Sequence, residues 1–144
     1  MHITRRSVVG ALVLSLLPIQ MVRAQPSTLV GRWQGSADVG GQTIFIELLL
    51  GPDGQFSQRA TAGVNATLLR GTYQLMQDTL TLAVFDWEPK TQRVYVPMGT
   101  TGGYWEEQPT SQPPGGTYRV TLTSADSMNL TDLETGATIA LRRA

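Results

Sequence analysis

The chain has 144 residues, 11 basic and 11 acidic side chains, no cysteine and one histidine, His2. Those counts exclude disulfides, thiol nucleophiles and histidine or thiolate ligand sets for zinc or haem, and beyond His2 they leave no imidazole base. Carboxylate chemistry remains, or binding without chemistry.

Residues 1–24 read as a cleavable export signal. Arg5-Arg6 precede an apolar run from Val8 to Leu17, and Val22-Arg23-Ala24 sets small residues where a signal peptidase cuts. The run is too short to span a bilayer. The opening TRRSVV resembles a twin-arginine signal, with Thr4 before the arginine pair and Val8-Val9 after it; an ordinary secretory signal is read from the same residues. Both routes lead to the periplasm. The expected mature chain, Gln25 to Ala144, is 120 residues, enough for one domain. Losing Arg5, Arg6 and Arg23 leaves eight basic residues against 11 acidic, a net charge of −3. An acidic domain whose one lysine is Lys90 has no electrostatic footprint for nucleic acid or an anionic membrane.

Downstream, nothing reads as a helix. Runs rich in threonine, valine, leucine and aromatics are broken by turn residues about every eight to twelve positions, the spacing of an all-β sandwich or barrel. Strands are predicted at Leu29–Ala37, Thr43–Leu50, Gln55–Ala62, Thr67–Met76, Thr79–Trp87, Gln92–Pro97, Thr117–Ser124, Ser127–Asp132 and Ala137–Arg142. Gly51-Pro52-Asp53-Gly54 is a tight-turn tetrad, because proline presets φ and glycine accepts φ above zero. Gln77-Asp78, Ala125-Asp126 and Glu134-Thr135-Gly136 sit between runs short enough to pair as hairpins. Consecutive hairpins form a meander that has to close or stack to hide its edges. The expected architecture is all-β, a single antiparallel up-and-down barrel of about eight or nine strands. GTYQLMQDTLTL from Gly71 and GTYRVTLTSADSMNLTDL from Gly116 share a start, either as equivalent hairpins on opposite sides of the barrel or as an ordinary hairpin opening.

The stretch Thr101–Gly116, TGGYWEEQPTSQPPGG, has three prolines and four glycines and fits no regular element. A connection of that length is uncommon unless functional or disordered. Tyr104 and Trp105 carry large apolar area with polar tips, as anchors of protein–protein contacts do, and Glu106-Glu107 would select a basic partner surface. The same aromatics would serve as a lid over the barrel mouth, or would extend a strand into the core. Elsewhere, Ile44, Ile46, Leu48 and Leu50 alternate with Phe45 and Leu49, so one strand is apolar on both faces. It is either covered on both sides or lines a filled lumen beside a modest exposed patch. Asp86 and Glu88 share a face with Trp87 opposite. Without an Asp-x-Asp-x-Asp-Gly pattern they read as a solvated strand end rather than a calcium site. No catalytic residue, metal or cofactor is expected.

Gly31-Arg32-Trp33, in the opening strand LVGRWQGS, resembles the G-x-W of the calycin superfamily, which includes lipocalins and avidins. The resemblance implies that Trp33 plugs one end of the barrel. It also implies that an arginine ending the last strand, Arg142 or Arg143 of IALRRA, packs across the ring. The lipocalin disulfide is impossible here, and the avidin biotin-site motifs are absent. In size and export address the chain also resembles the small non-redox subunit of periplasmic quinoprotein dehydrogenases. Together these resemblances imply a non-catalytic periplasmic binding protein. It would be an accessory subunit docked through Thr101–Gly116 on a larger periplasmic or membrane-associated complex, or else a lipocalin-like carrier of a small apolar ligand.

Overall fold

The computed structural model describes residues 26–144, so the expected export signal and its cleavage site lie outside them. A single helical turn, α1 (Pro26–Leu29), leads into ten strands: β1 (Gly31–Val39), β2 (Gln42–Leu50), β3 (Gln55–Ala62), β4 (Asn65–Met76), β5 (Thr79–Glu88), β6 (Thr91–Met98), β7 (Gly102–Pro109), β8 (Gly116–Ser124), β9 (Ser127–Asp132) and β10 (Thr138–Arg143). Eight of them close into an antiparallel barrel in the order β1-β10-β9-β8-β5-β4-β3-β2. Neighbours in the wall are neighbours in sequence except at β1–β10, which closes the barrel, and at β5–β8, where β6 and β7 are set aside as a separate two-stranded ribbon.

Strict alternation builds the wall. On β5, Leu80, Leu82 and Val84 point inward while Thr81, Ala83 and Phe85 face out. Facing them on β4, Gly71 and Tyr73 are buried between half-buried Leu69 and Leu75. The two strands slip register between Arg70 and Gly71, which leaves Phe85 without a partner and more than half exposed. Such a bulge bends a strand and re-aims the residues beyond it. Beyond the bulge Asp86, Trp87 and Glu88 stay paired with Arg70, Leu69 and Leu68 of β4, and the chain then leads to the ribbon.

Trp33, Leu48, Leu50, Phe56, Leu80, Val120, Met128, Leu130 and Leu141 fill the lumen, together with Leu29 from α1. No polar or charged side chain is buried among the described residues. The turns 51–54, 77–78 and 125–126 lie at the end plugged by Trp33. The turns 40–41, 63–64 and 133–137 and the ribbon lie at the other. At the plugged end Tyr73 staples the first of these turns, its Oη donating to Gly51 O at 2.6 Å and its N–H to Gly54 O at 2.9 Å. Gly54 sits at φ 82°, where a side chain is strained.

Four expectations need correction. Leu29 belongs to a helical turn rather than to β1, because its carbonyl caps the Trp33 indole at 2.9 Å. The strand expected at Gln92–Pro97 forms, but outside the barrel. Thr101–Gly116 is not one irregular loop: its first half is β7, paired with β6 along its whole length. The two Gly-Thr-Tyr hairpins, β4–β5 and β8–β9, are adjacent rather than opposite, joined through β5–β8.

Candidate functional site

The ribbon is the feature that a plain barrel does not need. β6 and β7 pack on each other and on no barrel strand to a comparable degree. Alternation assigns their side chains to two faces. Arg93, Tyr95 and Pro97 share one face with Gly103, Trp105 and Glu107; Val94, Val96 and Met98 share the other with Gly102, Tyr104 and Glu106. The expected pairs are therefore split. Tyr104 and Trp105 point in opposite directions, and so do Glu106 and Glu107.

On the first face the Tyr95 and Trp105 rings meet edge to face, centroids 5.4 Å apart and planes at 67°. The Arg93 guanidinium carbon lies 5.5 Å from the Trp105 centroid. Tyr95 also crosses over Gly103, where a Cβ would come 2.7 Å from the phenol oxygen. On the second face Tyr104 sits opposite Val96, and Glu106 accepts from Gln108 Nε2 at 2.9 Å. Trp105 remains 60 % exposed and Tyr104 45 %, so neither enters the core. Sequence reasoning missed Arg93, Tyr95, Val94, Val96 and Met98 as members of this site. The alternation of RVYVPM was visible, but it reads equally as one more barrel strand.

The base of the ribbon is tied down. Trp87 Nε1 donates to Thr110 Oγ1 at 2.9 Å, Thr110 Oγ1 donates to Pro89 O at 2.7 Å, and Thr110 N–H reaches Lys90 O at 2.8 Å. Lys90 Nζ lies 3.7 Å over the Trp87 ring and 2.8 Å from Asp86 Oδ1. Arg70 spans Asp86 and Glu88 at 3.2 and 3.3 Å. The hydrogen bond from Lys90, foremost, holds the Asp86 carboxyl below its ordinary value. Asp86 and Glu88 thus serve the ribbon's base. The return segment 110–115 runs back along β5, with the Gln112 side-chain amide donating to Val84 O at 2.7 Å.

Three further places bear on function. At the plugged end, the Arg143 guanidinium covers the Trp33 ring at 4.3 Å, and Gly31, at φ 137°, leaves the room it occupies. Arg142 is on the outer wall beside Gln34. At the open end, a cavity of about 190 Å³ is lined chiefly by Ile46, Leu48, Leu82, Tyr118, Leu130 and Ile139. Burial first, and then the Asp132 charge, push the Tyr118 phenol above its ordinary value. On the outer wall Phe45 and Leu49 are exposed while Ile44, Ile46, Leu48 and Leu50 turn inward, so β2 has a filled lumen on one side and an open patch on the other.

The fold and site define a closed eight-stranded antiparallel β-barrel, compatible with a calycin-like fold, that carries a projecting ribbon at its open end. No protein-family model matches the chain, and no curated protein matches it.

Proposed function

We propose that this is a non-catalytic periplasmic binding protein, an accessory subunit that docks on a larger exported complex through the β6–β7 ribbon. The observation that carries the reading is a ribbon with large side chains exposed on both faces and no barrel strand packed on it to a degree comparable with its own pairing. A two-stranded hairpin alone in water is marginal and gains stability when a third element covers it. Trp, Tyr and Arg are the residues that most often dominate affinity at protein interfaces. The Tyr104 face suits a basic partner surface, because Glu106 has only an amide beside it, whereas Glu107 lies opposite Arg93.

The Gly31–Trp33–Arg143 arrangement supports a place among the calycin-like, and more narrowly lipocalin-like, barrels. A membrane-associated quinoprotein alcohol dehydrogenase is the kind of complex we propose as host, on size and export address. The test is gentle purification of tagged protein from its own periplasm and membranes, followed by mass spectrometry of the proteins retained. A stoichiometric larger protein is expected, and a Tyr104→Ala/Trp105→Ala variant is expected to lose it while remaining folded. Retention of that protein by the double variant would overturn the docking surface.

The second reading is a carrier of a small apolar ligand, favoured by the apolar lining of the open-end cavity. At about 190 Å³ it falls short of the roughly 300–1,000 Å³ of usual small-molecule sites, so the accessory role comes first. Organic extracts of natively purified protein decide it: a bound lipid or isoprenoid supports the carrier, and an empty barrel removes it.

A further inference from the structure

We propose that two copies of this chain join edge to edge through β7, making one four-stranded sheet from two ribbons. In an antiparallel pair, hydrogen-bonded and non-hydrogen-bonded positions alternate. The Thr110 N–H to Lys90 O bond, 2.8 Å, marks that pair as hydrogen-bonded. By alternation 92–108, 94–106, 96–104 and 98–102 are too. The pairs between them, 93–107, 95–105 and 97–103, turn their backbone polar groups away from the ribbon. Two independent features agree. Pro97 and Pro109, which have no N–H to give, both fall in the outward set. The Tyr95 and Trp105 rings touch, as side chains do across the closer, non-hydrogen-bonded kind of pair.

The two outer edges are not equivalent. On β6, Pro97 interrupts the outward row, and proline discourages a further strand. On β7 the row Gly103, Trp105, Glu107 is unbroken, and β7 pairs with β6 alone among the described strands. An uncovered row of this kind is a template for another strand.

A second copy is the occupant because β7 complements itself about Trp105. With Trp105 opposite Trp105 of the second copy, each Gly103 lies opposite a Glu107, and about six backbone hydrogen bonds form before Pro109 ends the ladder. One face then carries a continuous row of four rings: Tyr95, Trp105, and the same two residues of the second copy. Glu107 keeps Arg93 beside it on its own ribbon, and no two carboxylates are directly opposite. A register centred on Glu106 would set carboxylate against carboxylate, which is destabilising. One centred on Tyr104 would set each Trp105 against a glycine. Edge pairing leaves both side-chain faces open, so this inference goes beyond the accessory role and does not depend on it.

The test uses the purified mature chain alone. Size-exclusion chromatography with light scattering is expected to show a dimer. Glu107→Pro removes an outward N–H while sparing the ribbon's own hydrogen bonds, so it is expected to be monomeric with unchanged circular dichroism. Should that variant misfold, the register is read by oxidation, since the chain has no cysteine of its own. In Trp105→Cys, two thiols face each other across Cα atoms about 5.5 Å apart, within disulfide range, and a covalent dimer is expected. In Glu107→Cys the thiols are out of register and stay free. A wild-type chain that remains monomeric up to roughly 1 mM would overturn the proposal, as would equal cross-linking rates for the two cysteine variants.

Discussion

The guanidinium of Arg143 lies 4.3 Å over the Trp33 ring while its nitrogens donate to the carbonyls of Val30 and Thr28 at 2.8 Å and of Ala125 at 3.3 Å. One side chain thereby joins the segment before β1, the plug and the β8–β9 turn. It also pairs with Asp126 at 3.4 Å, but that carboxylate is 76 % exposed. The ring contact is worth about 0.5–2 kcal/mol and each charged hydrogen bond more than a neutral one, whereas an exposed ion pair is worth about 0–1 kcal/mol. Arg143→Ala is expected to cost about 2–4 kcal/mol and Asp126→Ala under about 1 kcal/mol, read as urea midpoints. Equal losses would move the weight from the ring and carbonyls to the ion pair.

Gly71 is packed from two sides. A Cβ there would stand 1.8 Å from Ala83 O and 2.7 Å from Phe56 Cε1. One is backbone of the neighbouring strand and the other a buried ring, so neither gives way cheaply. Overpacking of this kind costs about 1–3 kcal/mol, and Gly71→Ala is expected to destabilise by at least that much. Denaturant unfolding checks it; a neutral result would mean that the bulge at Arg70/Gly71 relaxes to accept the methyl group.

The acid and alkaline limbs of stability have separate sources. Burial, and then the charge of Asp53, raise the Tyr73 phenol above its ordinary value of 10.0, and Tyr118 is raised by burial and then by Asp132. The folded state favours the neutral phenols. Their contribution is complete below the unfolded value of 10.0 and fades as pH rises through the folded values. Asp86 runs the other way: lowered first by its hydrogen bond from Lys90, it contributes above 3.8 and fades as pH falls. Stability against pH is expected to be flat between these limits, with an alkaline fall that Tyr73→Phe/Tyr118→Phe flattens. A double variant falling as steeply as wild type would clear the phenols.

The ribbon is expected to be dispensable for folding. Its ties to the barrel are made at the base by Trp87, Lys90, Thr110 and Gln112, and the strands themselves lie beyond them. Replacing residues 92–108 with a short turn is expected to leave the thermal midpoint within a few degrees, because no buried core residue is removed. Partner capture should vanish with it. A barrel that unfolds on excision would show that the ribbon supports the open end.

Most of the barrel was legible in the sequence, because period-two alternation and tight turns report directly on a wall with one wet face. The choice between Arg142 and Arg143 was also within reach. Ile139 and Leu141 set the inward parity, and 143 continues it. The ribbon was not legible. Tyr95 and Val96, like Tyr104 and Trp105, place apolar groups on both faces, and with no core to face there is no one-sided pattern to read. The glycines at 102–103 and the prolines from 109 to 114 look like breakers, yet they bracket a strand. Which expected strand would be left out of the barrel is decided by Thr79–Leu82 of β5 pairing with Gly116–Arg119 of β8, a long-range matter that local patterning does not carry.

The seam between β1 and β10 has a temporal side. It holds by three residue pairs, by the Ala144 N–H to Arg32 O bond and by Arg143, whose hydrogen bonds span 113 and 115 residues of sequence. Contacts so distant form late, since a long loop must be closed before they reward it. Until β10 arrives, the meander is a curled sheet with two raw margins, those of β1 and β9. The chain is therefore most vulnerable to mispairing in the interval before that final strand docks, and the speed of one short clasp sets how long the interval lasts.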